Sequence, residues 1–218
     1  MEQYHKQEIS EVTPTQEDVG KLPLENRVKE AKAVQDKSEA EQFAANDKQT
    51  PLQGFEKSGI MSNDSATKYL NDRLPPEHLS RNRITEIQYT DQYDGDHDGV
   101  TLGMCRTDRV TKVSDIEINR QTPQGSHDRD LMEETMVHEV GHNVYYNMGE
   151  QNIASWDQLS ANSKPEEYVS NYARTNVRED FAESYAAYVR DPQLLQEVSP
   201  QKYSFMQQQV FGGREYGN

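Results

Sequence analysis

Cysteine is all but missing from this chain: Cys105 stands alone among 218 residues, so no internal disulfide can form, a usage that suits a reducing compartment and many exported bacterial proteins alike. Long apolar runs are missing as well, and none approaches the ~20 residues needed to span a bilayer. Basic clusters are the third absence. With a net charge of -15 and no grouped Lys or Arg, nucleic acid and anionic membrane surfaces are excluded as partners because both would be repelled. The first residues, Met1-Glu2-Gln3-Tyr4-His5-Lys6, show no basic segment followed by an apolar one. The expectation is a soluble chain, cytoplasmic or exported by a non-Sec route. Apolar content is only 33%, low for one fully packed globule of this length, so part of the chain is expected to lie outside the core.

That part is assigned to residues 1–60, rich in Glu, Gln, Lys and Asp, with Tyr4, Phe43 and Phe55 as its aromatics. A segment with so little to bury is expected to be flexible, with a loose helix over 24–46, and could serve to tether a protein partner. The packed domain is expected over 61–218. It opens with a helix capped by Ser62-Asn63-Asp64-Ser65 that carries Ala66, Tyr69 and Leu70 up to Pro75-Pro76. Strands are expected over 84–90, 100–105 and 110–119. A turn at Thr122-Pro123-Gln124-Gly125 follows, and Asp130 with Glu133 signals the next helix.

That helix contains His138-Glu139-Val140-Gly141-His142, the most informative pentapeptide in the chain. Side chains four apart on a helix differ by roughly 40° around its axis, so His138 and His142 can bind one metal ion from the same face. Glu139 lies about 100° round from His138, near enough to the open position of the metal to take a proton from water without acting as a ligand. By composition alone such a match arises with a probability on the order of one in a hundred. Val137, Val140, Val144 and Met148 fall on the opposite side and can face a core, while Gly141 leaves room for close approach by another element. The helix is expected to end at Gly149.

A hydrolytic zinc site keeps one position open for water and so needs a third protein ligand. The metzincin solution would put His six residues after His142, but Met148 occupies that position, which rules it out. The alternative is a Glu on a following helix, and the stretch 176–190 supplies candidates. There Glu179, Ala182, Glu183 and Ala186 share one face, and Phe181, Tyr185 and Tyr188 the other. Glu179 is the expected third ligand, with Glu183 orienting a ligating His through its second ring nitrogen and Asp180 directed away from the metal. The same residues also fit a capping box of Asn176 with Glu179 and a solvated stripe ending at Pro192.

Tyr172-Ala173-Arg174-Thr175-Asn176 and Glu179-Asp180-Phe181-Ala182-Glu183, taken with the His138 to His142 pentapeptide, resemble the catalytic domain of anthrax lethal factor and the related Pro-Pro endopeptidases. The likeness covers roughly residues 130–192. It implies that His138, His142 and Glu179 bind zinc, that Glu139 is the general base, and that Tyr172, seven residues before the third ligand, assists the oxyanion. A phenol donor beside zinc is chemically suited to that task. Residues 1–60 match nothing in that family, so no substrate preference is implied.

Other signals are weaker. Asp94-Gly95-Asp96-His97-Asp98-Gly99 copies the first half of a calcium loop, but Cys105 stands where the bidentate Glu is needed, so an acidic hairpin turn is the better reading. Cys105 reads as a small buried hydrophobe, His127 as too far along to be a ligand, and His5, His78 and His97 as surface residues. The expected fold is α+β and zincin-like: a short twisted sheet over the HExxH helix, with a C-terminal helix supplying Glu179. The expected function is a zinc-dependent endopeptidase that hydrolyses peptide bonds with a metal-activated water, its protein or peptide substrate lying along an edge strand over 115–120. The rival is a zincin-fold interaction or structural module in a phage or toxin-associated assembly, with little or no catalysis.

Overall fold

The computed structural model describes residues 49–96 and 99–216. The expected helix over 24–46, together with His5 and His97, lies outside them. The first helix, α1 (Asn63–Arg73), starts where Ser62 accepts the Ser65 N–H, which satisfies one of the donors a helix start leaves open. It buries Ala66 and Leu70 and stops before Pro75 and Pro76.

Four strands form one sheet in the order β1 (Leu52–Gln53), β2 (Ile84–Tyr89), β4 (Ser114–Ile118), β3 (Gly103–Thr107). β1 and β4 run parallel to β2, and β3 runs antiparallel to β4. The expected strand over 110–119 begins four residues late because Asp108 Oδ1 accepts the Val110 and Thr111 N–H groups. That side-chain hydrogen bonding diverts the backbone into a turn. The stretch 115–120, expected at an edge, lies mostly in β4, which is paired on both sides. The free edge on that side is β3, which folds back as a hairpin and covers β4.

The packed body also starts earlier than expected. Leu52 and Gln53 pair with β2, and Phe55 is fully buried against Tyr89. The boundary at residue 61 therefore falls inside the fold, since a two-residue strand and one aromatic are enough to anchor a polar segment. His78, read as a surface residue, is buried with its Nδ1 2.9 Å from the Tyr185 hydroxyl. Burial pushes its imidazole pKa down to about 4, so it packs as a neutral ring.

The helix α2 (Arg129–Asn147) is capped by Asp128, whose side chain accepts the Leu131 N–H, two residues before the signal read at Asp130. Val137, Val140 and Val144 are buried as expected. Asn143 fixes the helix against the strands: its Nδ2 donates to Arg83 O at 2.8 Å and to Ser114 Oγ at 2.7 Å. With that face held by the sheet, His138 and His142 are turned toward the far side. The helix gives way at Met148, and Gly149 opens α3 (Glu150–Ala161).

The helix α4 (Val177–Arg190) crosses α2 at Gly141. A Cβ there would stand 3.2 Å from both Ala182 Cα and Tyr185 Cβ, a separation that leaves the neighbours no slack. Asn176 caps α4 by accepting the Arg178 and Glu179 N–H groups. The short helices α5 (Pro192–Val198) and α6 (Pro200–Phe205) then fold back on it. Tyr185 stacks between Phe181 and Phe211, and Trp156 meets Phe181 edge-on in this half of the core.

Asp180 points away from Glu179, as its rotation around the helix requires, but into the core. Its Oδ1 accepts from Lys202 Nζ at 2.7 Å, and both residues are fully buried. Lys202 also donates to Glu167 O at 3.0 Å and lies 3.9 Å over the Tyr168 ring. Burial pushes the Asp180 carboxyl up and the Lys202 ammonium down, so the pair depends on its own contact to stay charged. Asp180→Asn or Lys202→Met should each cost about 3–5 kcal/mol, because each leaves a buried group without its counterpart. Denaturant unfolding measures this, and a cost below about 1 kcal/mol would show that water reaches the pair.

Candidate metal centre

Two helices bring the site together, α2 with His138, Glu139 and His142, and α4 with Glu179 and Glu183. His138 Nε2, His142 Nε2 and Glu179 Oε2 form a triangle with every side 3.1 Å. For bonds of about 2.0–2.1 Å, the donors of a tetrahedral zinc lie roughly 3.3 Å apart, so the three atoms match one face of such a shell. The opposite His138 nitrogen, Nδ1, is 2.8 Å from Glu183 Oε1. Donation of the Nδ1 proton to this carboxylate leaves the Nε2 lone pair directed at the centre of the triangle. Three electron-pair donors so close together suit one shared cation. His138, His142 and Glu179 thus form a largely buried group that could hold a metal ion.

The electrostatics of these groups point the same way. Burial works against a charged His138, but hydrogen bonds to Glu179 and Glu183 outweigh it and hold the imidazole up to about 10. Burial likewise opposes the Glu179 charge, and its bonds to His138 and His142 nevertheless hold the carboxyl down to about 2. Protons and a metal ion would therefore compete for the same nitrogen and oxygen atoms.

Glu139 is buried and stands outside the triangle. Burial raises its carboxyl above the ordinary value, against the pull of His138, His142 and a hydrogen bond from the Cys105 backbone. It fits tightly under β3: a Cβ on Gly103 would stand 2.6 Å from Glu139 Oε1 and 2.8 Å from Thr135 Cγ2. Gly103 was not singled out from the sequence, though a glycine inside a strand is the ordinary sign of such an approach.

Tyr172 lies in a single 3-10 turn (Tyr172–Arg174) ahead of α4. The residue is 56% exposed, and its ring centroid is 6.0 Å from that of His138. Partial burial and the nearby carboxylates Glu179, Glu139 and Glu183 raise the phenol pKa, so it stays protonated and able to donate. Ser170, which no pattern in the sequence marked, joins these groups. Its Oγ donates to Glu183 Oε2 at 2.6 Å and accepts the Ala173 N–H at 3.0 Å. The structure therefore gathers all six residues expected at the site.

No known protein family, curated protein or solved structure matches this chain. A cleft of about 450 Å³ opens over the site, lined on one side by His138, Glu139, Tyr172 and Glu183 and on the other by Val100 to Gly103. The Asn119 N–H bonds to Leu102 O, which makes Gly103 and Ile118 a non-hydrogen-bonded antiparallel pair. The N–H and C=O of Gly103 consequently point away from β4, along the free edge. Asp94 and Asp96 form part of the rim beside the Gly95–Val100 bridge. Asp98, which the calcium reading needs, lies outside the described residues. Cys105 is partly exposed, and burial pushes its thiol up to about 11, leaving it protonated.

Proposed function

We propose that this chain is a zinc-dependent endopeptidase of zincin-like fold. The observation that carries the reading is the convergence of His138, His142 and Glu179, with His138 and the buried carboxylate Glu139 lining a cleft that also holds an outward-facing strand edge. Three protein ligands of the N,N,O type leave the fourth tetrahedral position free, as catalytic zinc sites do and structural ones do not. Zinc held there supplies Lewis-acid polarisation of a scissile carbonyl and acidifies water. The resemblance to lethal factor and the Pro-Pro endopeptidases supports the same assignment of residues.

The chain's own groups would then act in order. An extended peptide adds to the free edge at β3, donating to and accepting from Gly103. Glu139, raised by burial, takes a proton from water as it attacks and returns it to the departing amine. Tyr172 donates a hydrogen bond to the oxygen that becomes negative. Among the described residues the cleft is lined by Asp94, Asp96 and Glu134 and by no Lys or Arg, so peptides rich in Asp or Glu should be disfavoured. Digestion of an unbiased peptide library by the zinc-loaded chain, read by mass spectrometry, tests the proposal. Sites cut by the parent and left whole when zinc is withheld support it; a library left whole by the parent counts against it.

Gly103→Ala offers a sharper check on the base. The added methyl has no free space against Glu139 and Thr135, so the carboxylate must move, and misplacement by ~1 Å can cost about a hundredfold in rate. Turnover should fall on that scale with zinc content unchanged. A rate within about twofold of the parent would mean that Glu139 has slack.

A further inference from the structure

We propose that Ser170 is a positioning residue that links the metal shell to Tyr172, so that a change at either end is felt at the other. Its single hydroxyl proton goes to Glu183 Oε2, because an ionised carboxylate can only accept, and its lone pair takes the Ala173 N–H. The other Glu183 oxygen takes the proton of His138 Nδ1 at 2.8 Å. Both oxygens of Glu183 are thereby engaged, and the carboxylate cannot rotate without breaking one bond. At the other end, Ala173 is fully buried and directly follows Tyr172 in the same turn. The contacts run without a gap from the Tyr172 turn through Ser170 and Glu183 to His138.

Two consequences separate this role from mere packing. Loss of the hydroxyl frees one Glu183 oxygen, so His138 is held less firmly and metal affinity drops. Loss of the Ala173 bond frees the turn, so the phenol is less well placed for reaction. Ser170→Ala removes only the hydroxyl oxygen and keeps Cβ, so little packing is lost with it.

The inference rests on the peptidase reading for its turnover arm only; zinc affinity and amide exchange need no catalysis. In the full chain, zinc affinity is measured by chelator competition. Ser170→Ala should bind zinc about tenfold more weakly, the scale of one hydrogen bond to a charged group. Ser170→Thr, which keeps the hydroxyl, should stay within about threefold of the parent. In a Glu183→Ala background, adding Ser170→Ala should cost nothing further, and the Ala173 amide should exchange faster in Ser170→Ala than in the parent. Where peptides are cut, the loss of kcat in Ser170→Ala should vanish in a Tyr172→Phe background. Parent-like zinc affinity in Ser170→Ala, the same loss with Glu183 already removed, or unchanged Ala173 exchange would each overturn the proposal. A chain that binds zinc in this pattern but cuts no peptide would remove the peptidase reading and leave this one standing.

Discussion

Glu179→Ala is expected to retain no tightly bound zinc, the largest single effect foreseen for this molecule. The parent offers three donor atoms 3.1 Å apart, and the substitution removes the only anionic one. Two imidazoles on one helix remain, with neither charge nor a third direction to enclose the ion. Glu183→Ala should be milder, weakening binding by roughly ten- to a hundred-fold, because Glu183 reaches the three donors only through the far nitrogen of His138. Asp180→Asn should lower stability through its buried partner Lys202 without lowering the affinity of whatever fraction stays folded. Metal content after gel filtration, followed by chelator competition, separates the three. If Glu183→Ala proves more damaging than Glu179→Ala, the ligand has been misassigned.

The second large effect belongs to Glu139→Gln. The amide has nearly the same shape, so it should fit beneath Gly103 and leave the metal triangle undisturbed. It has no basic oxygen, so it cannot accept a proton from water, and turnover should fall by about 10²–10⁴. Zinc content and melting temperature should match the parent. Rapid peptide cleavage by this variant would show that another group serves as base, and a loss of zinc would show that Glu139 is a ligand instead.

What could be read in advance follows the range of the interactions concerned. The pentapeptide on α2, the face shared by Glu179 and Glu183, and the caps at Ser62 and Asn176 depend on neighbours within one or two helical turns, and helical spacing alone places them. The role of Gly141 was visible as a vacancy on a helix surface, though not which element would fill it. The order of the strands was not visible, because edge or interior is decided by pairing between distant segments. β3 and β4 both carry apolar residues, and only the hairpin at Asp108 determines which of them covers the other.

The same reason explains the residues that were misplaced or passed over. Phe55 and His78 looked like residues of polar surroundings, and both are buried by partners far along the chain, Tyr89 and Tyr185. Asp180 could be rotated away from the metal by arithmetic, but its partner is Lys202, in the second of two proline-led helices that follow. Ser170 carries a single hydroxyl in a stretch with no regular period, and its importance lies in what it touches. Gly103 alone left a legible sign, a glycine in a strand, and that sign was available to be used.

The most direct measurement is a zinc titration of the metal-stripped chain in which occupancy and peptide turnover are followed together. Both should rise in proportion and level off at about one zinc per chain, the number that a single closed set of two His and one Glu can hold. Turnover that is already complete before zinc is added, or that fails to appear at full occupancy, would contradict the assignment of this site as the centre of a zinc peptidase.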